Sequence, residues 1–164
     1  MSTMGAMTGM TTIGVDIPPT SPPSREVAVE LVEGWLALWN GDLSQAEGVL
    51  APDFRTHAAV TGGGDGSEIN GAQGLADWVA NTRLAMPDLL FTVQVGPIIQ
   101  GDQVALRWRA RGTYAGGIPG AAAPAGTGID FTGTDVLLIA DGRLSEYWVN
   151  SDTLLMLSQL QALG

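Results

Sequence analysis

Hydrophobic residues recur every three or four positions in the first half of the chain and every second position in the second half, which predicts helices followed by strands. Val27, Leu31, Trp35 and Leu38 make a helical stripe over Arg25 to Asn40, widened by Val32, Leu36 and Trp39. Ser24 is placed to cap its start and Gly41 to end it. Asp42 can cap a shorter second helix through Leu43, Ala46, Val49 and Leu50, which must stop before Pro52. Asp53 to His57 reads as a brief extended piece, and the glycines from Gly62 to Gly71 mark a loop. A third helix is predicted from about Ala72 to Met86, burying Leu75, Trp78, Val79 and Leu84, until Pro87-Asp88 turns the chain.

Four strands follow: Leu89 to Ile99, Gln103 to Tyr114, Ile129 to Ala140 and Arg143 to Asn150. Gly101-Asp102 and Asp141-Gly142 are the tight hairpin turns, and the Gly/Ala/Pro segment from Ala115 to Gly128 separates the middle pair. A last helix from about Asp152 to Leu163 carries Leu154, Leu155, Leu157 and Leu160, with Asp152 as its cap. Helices first and antiparallel strands afterwards indicate an α+β layer fold, not a parallel nucleotide-binding sheet. The GGGDGS run therefore reads as a loop, since no strand precedes it. Residues 1–23, rich in Met, Gly, Thr and Pro without a sustained period, are expected to form a flexible arm ahead of one domain over 24–164.

Composition narrows the chemistry. The chain has no cysteine, which removes disulfides, thiolate nucleophiles, iron–sulfur clusters and thiolate zinc sites. It has no lysine, so neither a Schiff-base amine nor a P-loop is available. One histidine, His57, cannot build a multi-histidine metal site. A net charge of -10 repels nucleic acid and anionic lipid, and no stretch is apolar over the ~20 residues a membrane span needs, so a cytoplasmic location is expected.

The segments GDQVALRWRARGTYAG and FTGTDVLLIADGRLSEYW, followed by Asp152 and a Leu-rich final helix, resemble the SnoaL-like or ester cyclase branch of the nuclear transport factor 2-like superfamily. The likeness extends back through MPDLLFTV, the Gly71 to Trp78 segment and APDFRTH. It implies a cone-shaped, strongly curved antiparallel sheet around a deep pocket closed by the N-terminal helices, with a homodimer formed through the outer sheet face. It also implies cyclase chemistry, such as an intramolecular aldol closure, that needs no metal or organic cofactor. Two motifs of that group are absent. The aldol acid–base carboxylate and its histidine fall on Val149 and Leu137, and the Arg-x-Asp pattern of the epoxide-hydrolase relatives falls on Trp108-Arg109-Ala110.

If Val149 and Leu137 face the pocket as the matching positions do, strand alternation turns Gly133, Asp135, Ile139 and Tyr147 the same way. Leu106, Trp108, Ala110, Gly112 and Tyr114 then share the interior, and Arg107, Arg109 and Arg111 point outward. Asp135 is the first candidate for catalysis, because a carboxylate on an apolar strand is desolvated and its pKa rises. The alternative is that a hydrogen bond merely holds it in place. The resemblance implies that His57 faces the pocket mouth, which makes it a second candidate, for proton transfer, and Tyr147 is a third, for its hydroxyl. Packing residues are the alternative reading of both. Trp39, Trp108, Tyr114, Leu137 and Val149 are expected to bind substrate. Most of the five tryptophans are expected in the core, while Trp148 suits a subunit contact. Glu146 is expected to pair with the outer arginine row, and the loop from Ala115 to Gly128 is either a lid or a passive insertion.

Three functions remain. One is a cofactor-independent cyclase or isomerase acting on a small hydrophobic, oxygenated, polyketide-like intermediate by acid–base catalysis. The second is an epoxide hydrolase or an epoxide-opening cyclase that forms a cyclic ether. The third is a small-molecule-binding or dimerisation module without chemistry.

Overall fold

The computed structural model describes residues 21–60 and 63–163. The predicted arm lies, up to residue 20, outside the described residues. Ser24 caps α1 (Arg25–Trp39) by accepting the Val27 N–H at 3.3 Å. Gly41, with φ 106°, ends it, because few other residues adopt that left-handed conformation without strain. Asp42 accepts from the backbone and hydroxyl of Ser44, starting a single 3₁₀ turn that leads into α2 (Ala46–Val49). The second helix is shorter than predicted because Leu50 is already extended. β1 (Leu50–His57) takes over residues whose spacing looked helical.

After the glycine loop comes α3 (Gly71–Ala85), which buries Leu75 and Val79 but leaves Leu84 75 % exposed, contrary to expectation. β2 (Leu90–Gln100), β3 (Gln103–Thr113), β4 (Gly128–Ala140) and β5 (Arg143–Ser151) form the predicted hairpin series. The five strands make one curved sheet in the order β1-β5-β4-β3-β2, antiparallel except where β1 runs parallel to β5. α4 (Thr153–Gln159) ends four residues earlier than predicted, and the Asp152 side chain makes no capping bond. Among the described residues, no helix is long and apolar enough to cross a membrane.

The sheet has two different faces. Alternation on β3, β4 and β5 sends Leu106, Trp108, Ala110, Phe131, Asp135, Leu137 and Tyr147 into the core, where α1 and α3 cover them. Trp35, wholly buried on α1, packs edge-on against Tyr147 at 4.7 Å between ring centres. Burying a large aromatic side chain of this kind contributes about 3 kcal/mol.

The opposite face carries charge. Arg109 and Arg111 both bind Asp130, and the Arg109 hydrogen bonds hold that carboxyl down at about 2, while Arg107 donates to Thr132. Glu146 therefore does not pair with that arginine row. Its partners stand on the neighbouring β1: Arg55 at 3.0 Å and His57 at 2.6 Å.

Candidate active site

Four elements converge on Asp135. β4 carries it inward, 3 % exposed. The Trp108 indole N–H from β3 donates to Oδ1 at 2.7 Å, and the Tyr147 hydroxyl from β5 donates to the same oxygen at 3.3 Å. The Trp35 indole N–H from α1 donates to Oδ2 at 3.0 Å. An indole nitrogen can only donate, so both tryptophans favour the ionised carboxylate. Burial opposes them and prevails, raising the Asp135 pKa from 3.8 to about 6. Burial likewise pushes the Tyr147 phenol well above its ordinary value, with the Asp135 charge adding to the effect. A carboxylate has about four lone-pair positions. The three donors fill two on Oδ1 and one on Oδ2, leaving Oδ2 able to take a proton.

That carboxylate forms part of the wall of a cavity of about 330 Å³. Trp39, Trp78, Phe91, Phe131, Ile118 and Met156 supply much of its apolar lining, and Asn81, Thr82, Ser151 and Thr153 add neutral polar groups. The buried Trp39 indole N–H meets no acceptor among the described residues and lies among the rings of Trp35, Trp78 and Phe91. Among the described residues, Asp135 and Tyr147 are the only titratable ones in the lining.

The predicted site residues separate into two groups. Asp135, Tyr147, Trp39, Trp108 and Val149 line the cavity. Leu137, Tyr114 and His57 do not. Leu137 faces inward but is wholly buried beneath the cavity, as the cross-strand partner of Tyr147. His57 is on the other side of the sheet: Phe54 and Thr56 take the inner positions of β1, so period two turns His57 outward. There its ring stacks on Trp148 at 5.0 Å and 8°. A His57–Asp135 proton relay is therefore not available. Trp35, expected to be core, is the residue the sequence reading missed. A buried indole N–H needs an acceptor, and Asp135 is the buried carboxylate on the inner face.

Tyr114 has a structural task. Its hydroxyl accepts the Ile118 N–H at 3.1 Å, and Leu160 O accepts both Ala122 and Ala123 N–H. These bonds fix Gly117, Ile118 and Pro119 as a wall of the cavity. Tyr114→Phe is expected to cost only about 1 kcal/mol of stability but to speed exchange of the Ile118 amide about fivefold or more, read by hydrogen exchange. Unchanged exchange at Ile118 would show that the wall holds without the hydroxyl.

The SnoaL-like polyketide cyclase family model matches residues 29–160. The chain belongs to that family. TsrD from Streptomyces laurentii is similar in structure, with a TM-score of 0.73 and 26% identity over 86% of this chain and 99% of that one. Wild-type IdmH from Streptomyces antibioticus, described as a candidate polyketide cyclase, gives 0.69 and 30% over 81% and 97%. A SnoaL-like protein from Jannaschia Sp. CCS1, at 23% identity over 92% of this chain and all of that one (100%), shares the fold with a TM-score of 0.68. No curated protein matches the chain. Membership in the family supports chemistry of the cofactor-independent cyclase or isomerase type.

Proposed function

We propose that the chain cyclises or isomerises a small, hydrophobic, oxygenated, polyketide-like intermediate, with Asp135 as the acid–base group. The observation that carries this reading is a buried carboxylate with one open lone pair on the wall of an apolar cavity. Its pKa near 6 lets it take and return a proton at neutral pH. In the forward step Asp135 Oδ2 removes a proton from a carbon beside a substrate carbonyl. The C–H electron pair becomes an enolate, which closes on a second carbonyl carbon or is reprotonated at another position. The proton then goes back from Oδ2 to the product. Tyr147, held against Oδ1, keeps the carboxylate oriented throughout. A module without chemistry would be expected to present an apolar cavity with no such cluster.

Epoxide opening is the second reading, favoured by the same raised pKa, since protonated Asp135 would donate to the epoxide oxygen. A pH–rate profile separates the two. Proton abstraction predicts kcat/KM rising about tenfold per pH unit up to about 6 and level above it; acid donation predicts the reverse slope. A flat profile through that window would remove Asp135 from both. Water labelled in its oxygen adds a second criterion, because hydrolysis alone among these reactions builds a water oxygen into the product skeleton.

A further inference from the structure

When ionised, Asp135 meets no countercharge among the described residues. Buried ionised carboxylates are normally paired with a cation. The three partners here are the neutral donors of Trp35, Trp108 and Tyr147. Among the described residues no arginine lines the cavity, and the chain has no lysine. Arg107, Arg109 and Arg111 stand on the other face of the sheet, committed to Thr132 and Asp130. The countercharge must come from a proton or from the occupant of the cavity.

The lining indicates what kind of occupant. A hard metal ion takes six or more oxygens, or several carboxylates and waters, whereas Asp135 is the one carboxylate that the described residues bring to this lining. Among the described residues, no group of three or more His, Asp or Glu side chains gathers to hold an ion. The lining is aromatic instead: Trp35, Trp39, Trp78, Phe91, Trp108 and Phe131 share the cavity wall with Asp135. Aromatic rings attract organic cations through the negative charge on their faces and add dispersion contacts that a metal ion cannot use. The net charge of -10 draws cations toward the protein and repels anions.

We propose that the buried end of the ligand is an organic cation, a protonated or quaternary nitrogen against the tryptophan rings, near enough to Asp135 to offset its charge without taking the open Oδ2 position, and that ligands ending in a free carboxylate are rejected. The inference rests on the reading that this cavity is the substrate site, and narrows the substrate to an oxygenated hydrophobic molecule bearing a basic or quaternary nitrogen. Tyr147, the other titratable group of the lining, keeps its proton at neutral pH, so the charge the ligand meets is set by Asp135.

The test compares benzyltrimethylammonium with its uncharged carbon isostere, neopentylbenzene, by titrating tryptophan fluorescence of the full chain. At about pH 7.5 the cation is expected to bind at least tenfold more tightly than the isostere. At about pH 5, where Asp135 holds a proton, its affinity should fall about tenfold while that of the isostere stays constant. Asp135→Asn, checked for folding by circular dichroism, should erase the preference for the cation and leave isostere binding in place. The pH arm on the unaltered protein decides the matter if that variant does not fold. Equal affinities for the two probes at both pH values would overturn the cation and leave the substrate cavity standing. Binding of neither probe would overturn both.

Discussion

Replacing Asp135 by asparagine is expected to lower turnover about 1,000-fold while the chain still folds. Asparagine keeps the size of the side chain but has one acceptor oxygen in place of two and cannot exchange a proton. One indole N–H, from Trp35 or Trp108, loses its acceptor and faces an amide N–H₂, which costs about 1–3 kcal/mol. Against that, the variant no longer buries a charge. The folded-state pKa of about 6 lies above the ordinary 3.8. The stability that Asp135 contributes is therefore full below about pH 4 and is lost as pH rises through about 6, a change of about 3 kcal/mol. Asparagine removes this dependence, so the two proteins should differ most at low pH and come within about 1–2 kcal/mol of each other above pH 7. Urea unfolding at several pH values, set beside kcat, tests both halves. Full activity with a flattened stability profile would leave Asp135 a packing residue, and loss of activity with loss of fold would say nothing for catalysis.

Much of this site is legible in the alternation of the sequence, and the exceptions have physical causes. Once β4 and β5 are read as a hairpin, Asp135 and Tyr147 must point the same way, and the structure places them 3.3 Å apart. The family likeness points His57 to the pocket, although the chain holds the opposite signal: Phe54 is the large apolar residue of β1, and a residue three positions along a strand from an inward one points outward. The end of α2 is not legible in the sequence, because Val49 and Leu50 satisfy a helical stripe and a strand equally over so short a run. Trp35 shows another limit. Its place on the buried stripe of α1 is plain from spacing, but the partner of its N–H lies 100 residues away, and only the packing of α1 across the sheet brings the two together. The same holds for Tyr114, whose ring is inward as its strand predicts but whose hydroxyl serves the loop four residues on.

Gly133→Ala is expected to destabilise the protein by about 1–3 kcal/mol, a sizeable part of the roughly 5–15 kcal/mol by which a domain of this kind is stable. Gly133 is the cross-strand partner of Trp108, and the indole lies directly over it. A Cβ there would overlap the six-membered ring, with Cη2 only 2.5 Å away and Cε2 at 2.8 Å. The ring has nowhere to go. Its N–H is held by Asp135 at 2.7 Å, and Phe91 and Phe131 meet it edge-on at 5.1 and 5.7 Å between ring centres. Relieving the clash means forcing the core, about 1–3 kcal/mol, or giving up a hydrogen bond to a charged group, about 1.5–3 kcal/mol. The glycine is thus what lets Trp108 lie flat across β4 and reach the carboxylate two residues along. A double-mutant cycle with Trp108→Phe isolates this contact, because the smaller ring reaches neither the new methyl group nor Asp135. The double variant should be less destabilised than the sum of the two single ones by at least about 1 kcal/mol, read from urea midpoints. Simple additivity, or a Gly133→Ala protein as stable as the original, would mean that the indole can tilt away at little cost, and that its hydrogen bond does not fix the geometry of the site.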